Sequence, residues 1–455
     1  MLISEEAGAG ARQGKRITFI PSKPSSSRAQ PALRMMKALF FLPLHKSIMN
    51  KYIFFLLFFS LTQTFAQNNS AITWRAAIHR QDGQNLIFTF RIQQSRLKKI
   101  IVISNGAELI TIPNTRFTKD SVFIEMPVFE SSFKAKISRD SWEGTWTRAT
   151  SGDTWILPFS ATSKSPRFVA TEGPAKYNMS GRWAVSFASD HEEKASSLAE
   201  FVQKGNHLVG TFLLASGDYR YQEGIVTGDK FMLSGFDGAH AYLFTGTLVN
   251  DHTIKDAHFY AGARSTDTWT GVKDPHAKVS TDPVAMFLKP GEERLNFNFP
   301  DLHGKMVSIN DERYKNKVVI IQLMGSWCPN CMDETAFLSE YYNKNRQRGV
   351  EIMGLAYEYS TDFKRSVASL SKFQKRFNVR YPVLITGVTV KDTLRTEKTL
   401  PQVTPIKVFP TSIIIDKHGK VRYFETDFFG QGTGEHYVAF KKNFNKTIDD
   451  LLKEK

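Results

Sequence analysis

Cysteine is scarce in this chain, because its 455 residues include only two. Two thiols are too few for a disulfide-rich scaffold, an iron–sulfur cluster or a zinc site built from cysteines alone. Long apolar runs are also lacking: residues 52–61 are uncharged, but a membrane-spanning helix needs about 20 apolar residues. With 41% hydrophobic and 23% charged residues, the composition excludes collagen, wholesale disorder and a membrane protein with many spans.

Acidic residues are absent between Glu6 and Asp82. Residues 1–66 contain nine Lys and Arg residues and two acidic ones, so this segment carries +7 of the formal net charge of +16. If the segment is removed during maturation, the basic balance of the chain indicates little about its partners.

A secretory signal peptide is predicted at residues 49–66. Lys51 gives it a positive start, residues 52–61 form its apolar core, and Thr64 and Ala66 are small residues suited to cleavage after Ala66. We therefore expect export, most simply to a periplasm, with an uncleaved signal that anchors the chain in a membrane as the alternative. Residues 1–48 are interpreted as a disordered leader ahead of a true start at Met49; an organelle transit peptide is the rival interpretation.

Short runs of alternating polar and apolar residues fill residues 67–275, separated by turn pairs such as Asp82-Gly83. This pattern predicts antiparallel β-structure. One β-rich domain is predicted at residues 67–162, and a second at 175–275 whose strand spacing indicates a barrel or a sandwich. Within the second, residues 217–221 and 236–240 combine aromatic residues with Asp, Arg and His. We interpret them as turn and core residues, with a groove for a ligand or a partner as the alternative.

A linker is predicted at residues 276–290, and after it the period of the sequence changes. Residues 317–324 are a continuous apolar run, typical of a strand buried on both faces. Helices are predicted at 331–347, at 362–377 with Asp362 as N-cap, and at 435–452. The fold class is therefore multidomain: an antiparallel all-β N-terminal region followed by an α/β domain at residues 291–455 with a parallel or mixed sheet.

Both cysteines, Cys328 and Cys331, lie where the first long strand of this α/β domain meets a helix. Cys-x-x-Cys at such a junction predicts a thioredoxin-like redox site. A thiolate on Cys328 would be stabilised by the N-terminus of the helix, and Cys331, one turn further on, could resolve a mixed disulfide. The alternatives are a zinc site, which lacks two further cysteine ligands, and a structural disulfide, whose short loop would constrain the unfolded chain little.

Several segments carry a resemblance to a known family: residues 298–305, 317–324, the motif Trp-Cys-Pro-Asn-Cys at 327–331, and 408–421. Together they resemble the TlpA/ResA-type thioredoxin-like thiol-disulfide oxidoreductases, which are exported bacterial proteins. The resemblance implies a thioredoxin-like fold and a cis-proline that faces the cysteine pair, matched here by Pro410. An ordinary edge proline is the alternative. The candidate site residues are thus Trp327, Cys328, Cys331 and Pro410, and we expect no cofactor and no metal.

The resemblance also implies an acidic residue after the second strand that influences the proton chemistry of the cysteines. Glu358 falls within one residue of that place. A buried carboxyl with a raised pKa could accept the proton of Cys331, whereas a solvated loop glutamate could not. Glu334 is interpreted as a helix surface residue. Gln322 stands where thioredoxin keeps a buried aspartate, so that proton route is predicted to be absent.

The predicted function is that of an exported thiol-disulfide oxidoreductase, mainly a reductase, which acts on protein thiols and disulfides and is re-reduced by an upstream membrane electron donor. One alternative is a cell-envelope binding protein whose β-rich region captures a ligand or partner, with the redox domain as accessory. A thiol peroxidase is a weaker alternative, since no Pro-x-x-x-Thr/Ser-x-x-Cys loop precedes either cysteine. The basic runs at 96–99 and 372–376 are interpreted as solvated faces, because a nucleic-acid partner conflicts with export.

Overall fold

The structure is a computed structural model that describes residues 72–454, except 96–97, 190–196, 281–283 and 427. The leader predicted at residues 1–48, the signal peptide predicted at 49–66 and part of the basic run at 96–99 lie outside the described residues. The described residues belong to one compact unit.

The first sheet has nine antiparallel strands. It forms because apolar side chains alternate along each strand and so collect on one face, where Trp74, Phe90 and Trp142 are buried against one another. Gly83 and Gly106 have positive φ angles of 82° and 54° at two of the hairpin turns. In space the order is β4-β3-β2-β1-β9-β8-β7-β6-β5. The strands are β1 (Thr73–His79), β2 (Asn85–Ser95), β3 (Lys98–Asn105), β4 (Glu108–Ile112), β5 (Thr115–Phe117), β6 (Ser121–Glu125), β7 (Ser131–Ile137), β8 (Ser141–Ala149) and β9 (Thr154–Thr162).

The second sheet closes on itself. Its first strand, β10, pairs with its last, β18, and β11 also pairs with β12, so eight antiparallel strands form a barrel and the short β13 lies beside β12. The interior is aromatic: Trp183, Phe212, Phe244 and Trp269 are buried there. Of the two architectures expected for this region, the structure therefore shows the barrel. The strands are β10 (Gly181–Phe187), β11 (Ser197–Lys204), β12 (His207–Leu214), β13 (Gly217–Asp218), β14 (Gln222–Thr227), β15 (Lys230–Phe236), β16 (Ala241–Asn250), β17 (Thr253–Ala261) and β18 (Ser265–Lys273).

The C-terminal part is a thioredoxin-like α/β fold. Its mixed sheet has the order β23-β22-β21-β24-β25, with β21, β22 and β23 parallel and the other pairings antiparallel, and a separate hairpin, β19-β20, precedes it. The elements are β19 (Asn298–Pro300), β20 (Met306–Ser308), β21 (Val318–Met324), α1 (Pro329–Asn345), β22 (Val350–Ala356), α2 (Phe363–Phe377), β23 (Val383–Ile385), α3 (Arg395–Thr399), β24 (Thr411–Ile415), β25 (Val421–Glu425) and α4 (Glu435–Lys453).

Strand β21 lies at the centre of this sheet, and all seven of its residues are buried. Ile320 belongs to the core formed with helices α1, α2 and α4, whereas its neighbour Ile321 belongs to the core on the opposite face, with Leu400 and Ile406. A strand covered on both faces needs apolar side chains at every position, which explains the continuous apolar run.

Local signals define two helix starts. Cys328 is the N-cap of α1 and Pro329 its first residue, so the helix begins two residues earlier than predicted, in keeping with the preference for proline at the first helical position. Asp362 is the N-cap of α2, as predicted: its Oδ1 accepts a hydrogen bond from the Arg365 N–H at 2.9 Å.

Among the residues that the structure describes, no helix is both long and apolar enough to span a membrane.

Replacing Asp362 tests the start of α2. We expect Asp362→Ala to lower the free energy of unfolding by about 1 kcal/mol, because an orphan helix N–H loses its acceptor. Asp362→Ser keeps an acceptor at the same position and should retain most of the stability. Urea unfolding followed by circular dichroism measures both variants, and an alanine variant as stable as the serine variant would contradict the assignment of this cap.

Candidate functional site

The two cysteines form a disulfide at the start of helix α1. As N-cap, the Cys328 Sγ atom accepts a hydrogen bond from the Cys331 N–H at 3.1 Å. The same N–H and the positive end of the helix dipole would stabilise a thiolate on Cys328 after reduction. Cys331 is fully buried one turn inside the helix. The pair thus has an asymmetric environment, in which Cys328 is the better placed of the two to carry negative charge.

Pro410 and Trp327 lie beside the disulfide. The Phe409–Pro410 peptide bond is cis, and the Phe409 carbonyl oxygen lies 3.5 Å from the Cys328 Sγ atom. The Trp327 indole N–H donates to the Tyr357 carbonyl oxygen at 2.8 Å, and its ring lies against those of Phe409 and Tyr359. The structure therefore brings Trp327, Cys328 and Cys331 of the motif together with the segment that contains Pro410.

Glu358 is buried next to the motif, so it is not a solvated loop residue. Its carboxylate accepts from the Ser326 backbone N–H at 2.8 Å and from the Ser326 hydroxyl at 2.6 Å. Burial raises the pKa of Glu358 to about 7, although the hydrogen bonds from Ser326 oppose the rise. Its contact with the motif is thus made through Ser326, two residues before Cys328.

Glu334 is also buried, and the interpretation of this residue as part of the helix surface is wrong. It follows Cys331 by three residues, so the two share the face of α1 that packs on the sheet. Its carboxylate accepts from Gln322 Nε2 at 2.8 Å and from the Ser412 hydroxyl at 2.9 Å. Burial raises the pKa of Glu334 to about 7, against the effect of both hydrogen bonds.

Gln322 connects this carboxylate to the cysteine pair. Its Nε2 lies 2.8 Å from Glu334 Oε2 and 3.4 Å from the Cys331 carbonyl oxygen. Because residue 322 is a glutamine and not the aspartate of thioredoxin, the sequence predicts that this proton route is absent. The structure places a buried carboxyl there by another route, from the helix instead of the strand. The spacing of three residues from Cys331 was the signal in the sequence.

The two segments of mixed aromatic and charged residues, 217–221 and 236–240, also lie at this site. Arg220 donates to both oxygens of Asp333, two residues after Cys331, and to Glu108 of the first sheet. Burial opposes the charge of Arg220, but Asp333 and Glu108 outweigh it and raise its pKa. Among the described residues, no group of three His, Cys, Asp or Glu side chains is arranged to hold a metal ion.

An Asp–His pair lies in the second segment. The His240 Nδ1 atom is 2.9 Å from Asp237 Oδ2, and its Nε2 is 3.0 Å from the Arg148 guanidinium. Burial lowers the pKa of His240 in spite of Asp237. Burial alone would raise the pKa of Asp237, but His240 and Arg220 outweigh it and lower the value to about 2. The charge of this pair therefore resides on Asp237.

Comparisons with known proteins concern the C-terminal part. Residues 290–424 match the model of the AhpC/TSA family. The thiol-disulfide oxidoreductase ResA of Bacillus thuringiensis subsp. konkukian is 32% identical over 134 residues, which are 30% of this chain and 68% of that protein. ResA of Bacillus anthracis is 33% identical over 156 residues, 34% of this chain and 78% of that protein.

Solved structures also match this part of the chain. A putative thiol:disulfide interchange protein DsbE from Chlorobium tepidum is 19% identical with a TM-score of 0.27, and covers 36% of this chain and 99% of its own. The thioredoxin domain of a thiol-disulfide oxidoreductase from Bacteroides vulgatus is 24% identical with a TM-score of 0.26, and covers 34% and 98%.

The protonation of Glu334 and Glu358 near neutral pH can be tested directly. We expect infrared difference spectra to show two carboxyl C=O bands that disappear as the pH rises through about 7, because burial raises the pKa of both Glu334 and Glu358. Glu334→Gln and Glu358→Gln should each remove one band. Glu340→Gln is the matched control on α1, since its bond to Lys344 lowers the pKa of that exposed residue, and it should remove neither.

The raised pKa of Glu334 also makes the stability of the fold depend on pH. Between the ordinary pKa of 4.5 and about 7, the unfolded chain releases the proton of Glu334 while the folded chain keeps it. Stability from this group is therefore complete below about pH 4.5 and declines as the pH rises towards 7, by about 1.4 kcal/mol per unit. Glu334→Gln should remove this contribution and leave the similar one of Glu358, so stability should fall less steeply with pH in the variant. A wild-type chain whose stability rises through this window relative to the variant would contradict the raised pKa of Glu334.

Proposed function

The chain belongs to the ResA family of thiol-disulfide oxidoreductases, and we propose that it is an exported enzyme whose Cys328–Cys331 pair reduces disulfides of protein substrates. It is a protein-disulfide oxidoreductase of the thioredoxin type. The observation that carries the proposal is the position of Cys328: an N-cap sulfur at the first turn of α1, 3.5 Å from the Phe409 carbonyl oxygen and bonded to Cys331.

The first step uses the helix N-terminus. In the reduced enzyme the Cys328 thiolate, stabilised by the Cys331 N–H, attacks one sulfur of the substrate disulfide. A bond forms between Cys328 and that sulfur, and the second substrate sulfur leaves as a thiolate that takes a proton from water. The backbone next to Pro410 provides a carbonyl beside the attacking sulfur, where an extended substrate segment would align.

The second step uses Cys331. Its thiol loses a proton and attacks the Cys328 sulfur, which forms the disulfide of the present structure and releases the remaining substrate thiol. Two electrons pass from the enzyme to the substrate, and a dithiol becomes a disulfide while a disulfide becomes two thiols. Two buried carboxyls lie at the motif, Glu358 bonded to Ser326 and Glu334 bonded to Gln322, and they are the candidate acceptors for that proton.

Regeneration requires an external dithiol, because the chain has no third cysteine to pass electrons onward. We propose an upstream donor in the membrane that reduces the pair by the same exchange chemistry. Export is supported by the signal peptide predicted at residues 49–66.

The reduction potential tests the direction. We expect equilibration with dithiothreitol, read by alkylation of the thiols, to give a value nearer the about −270 mV of thioredoxin than the about −120 mV of the oxidant DsbA. The enzyme should also reduce a short disulfide-bonded peptide, and Cys328→Ser should lose this activity, while Cys331→Ser should accumulate a mixed disulfide. A potential close to −120 mV would refute the reductase assignment and indicate an oxidase.

The native N-terminus tests export. We expect mass spectrometry of the protein isolated from its own cells to find a mature chain that begins near Gln67, because cleavage is predicted after Ala66. Ala66→Arg should block processing and leave a longer chain in the membrane fraction, whereas Ala71→Arg, beyond the cleavage site, should not. A native protein that retains residues 1–48 would contradict the proposed export route.

A further inference from the structure

The cysteine pair is covered. Cys328 is 3% exposed and Cys331 is fully buried, and Pro410 is buried as well. Thiol–disulfide exchange requires a foreign sulfur to approach Cys328 directly, so a folded substrate cannot react with the pair in this arrangement. The cover comes from the strands that precede the redox fold, here called the β region (residues 72–273), and it lies against the redox unit (residues 291–454).

An apolar contact seals the active-site face. Val128, Phe129 and Ala239 of the β region belong to the same buried cluster as Cys328 and Met332. The space between Phe129, Ala239 and the Ser326-Trp327 turn has a volume of about 10 Å³, room for about one water molecule and not for a peptide.

Backbone conformation marks two of the covering residues. Phe129 has φ 67° and Arg220 has φ 56°, in the left-handed region that side chains other than glycine rarely adopt. Such conformations persist where the surroundings enforce them, and here both residues contact the redox unit.

A buried ionic contact lies beside this apolar seal. The Arg220 side chain donates to Asp333 Oδ2 at 2.8 Å and Oδ1 at 2.9 Å, and its other partners are Glu108 and Asp237 in the β region. Asp333 is on α1, two residues after Cys331. The β region therefore provides the cation, Arg220, that neutralises the Asp333 carboxylate on the active-site helix.

The motif itself contacts the β region through Asn330, one of the two residues between the cysteines. With its amide nitrogen directed at the Asp218 carbonyl, the Asn330 side chain donates to that oxygen at 3.0 Å, and its amide oxygen accepts from the Asp218 N–H at 2.7 Å. The Asp218 carboxylate also accepts from the Gly430 N–H at 2.7 Å. Strand β13 is thus held to the redox unit by hydrogen bonds of the Asp218 backbone and the Asp218 carboxylate.

The rim of the contact is ionic and partly exposed. Two glutamates of the β region contact helix α2 here. Glu130 pairs with Arg365 at 2.9 Å and accepts a hydrogen bond from the Ser369 hydroxyl. Glu125 pairs with Lys372. Partly exposed ion pairs contribute little each, and polar interfaces of this kind between parts of one chain favour relative motion. The interface between the β region and the redox unit thus leaves no room for a substrate, and its polar rim allows the two parts to separate.

We propose that the β region is an autoinhibitory cap: it masks Cys328 in the closed arrangement, and exchange with a protein disulfide requires the cap to separate from the redox unit. The proposal rests on the proposed function, since it concerns access to the same cysteine pair. Small disulfides and thiols enter more readily than folded proteins, so the cap selects substrates by size and by their ability to displace it.

Alkylation of Cys328 measures this masking. In a Cys331→Ser background, Cys328 is the sole thiol of the full chain. We expect a small maleimide to react faster than the same maleimide carried on a long polyethylene glycol chain. Glu130→Arg places two cations face to face at the rim and should speed the reaction of the polymer-linked reagent by about fivefold or more, with a smaller effect on the small one.

A charge swap and a distant reversal provide the controls. Glu130→Arg combined with Arg365→Glu restores an opposite pair and should return the rate towards that of the parent. Asp229→Lys faces Lys176 within the β region and should leave both rates unchanged. If Glu130→Arg fails to fold, the test is repeated at the second ion pair of the rim. There Glu125→Lys places a cation opposite Lys372, and adding Lys372→Glu restores an opposite pair.

Two outcomes would overturn the cap: equal rates for the two reagents in the parent, or no acceleration of the polymer-linked reagent in either rim variant. The wild-type pair would still reduce a short disulfide peptide in that case, so the proposed function would stand. Loss of that peptide activity would instead refute the function.

Discussion

The guanidinium of Arg220 is buried among carboxylates from three parts of the chain, and the arrangement around the cysteine pair depends on it. Glu108 belongs to the first sheet, Asp237 to the barrel and Asp333 to the active-site helix. Removing one partner of such a group leaves an uncompensated buried charge, which costs several kcal/mol. If the cap separates from the redox unit, Arg220 and Asp333 lose each other as partners and both must be hydrated. Their ion pair therefore favours the closed arrangement.

The two buried carboxyls at the motif differ in what surrounds them. Burial raises the pKa of both Glu334 and Glu358 to about 7. Glu334 is enclosed within the redox unit, where its carboxylate accepts from Gln322 and Ser412. Glu358 accepts from Ser326, and the Glu130 carboxylate of the β region contributes to its raised pKa. A substrate that displaced the β region would therefore change the surroundings of Glu358 more than those of Glu334.

The value of local signals can be judged on particular elements. The continuous apolar run at 317–324 predicted a strand buried on both faces, and all seven residues of β21 are buried, because the burial pattern of a strand can be read from consecutive residues. The N-cap role of Asp362 was likewise readable from its neighbours. Glu334 was misread, because a lone carboxylate on a helix is usually solvated, and only the sheet beneath α1, with Gln322 and Ser412, shows that this one is buried.

The sequence by itself determined the redox chemistry. Two cysteines three residues apart, after an apolar strand and at a helix start, leave one site at which electrons can enter and leave this chain. The tertiary structure decided which carboxyls are buried beside that site and which residues of the β region cover it. Arg220 and Asp333 are 113 residues apart, and Asp218 and Gly430 are 212 apart. Contacts over such separations arise only when three sheets pack together, and no local pattern of residues encodes them.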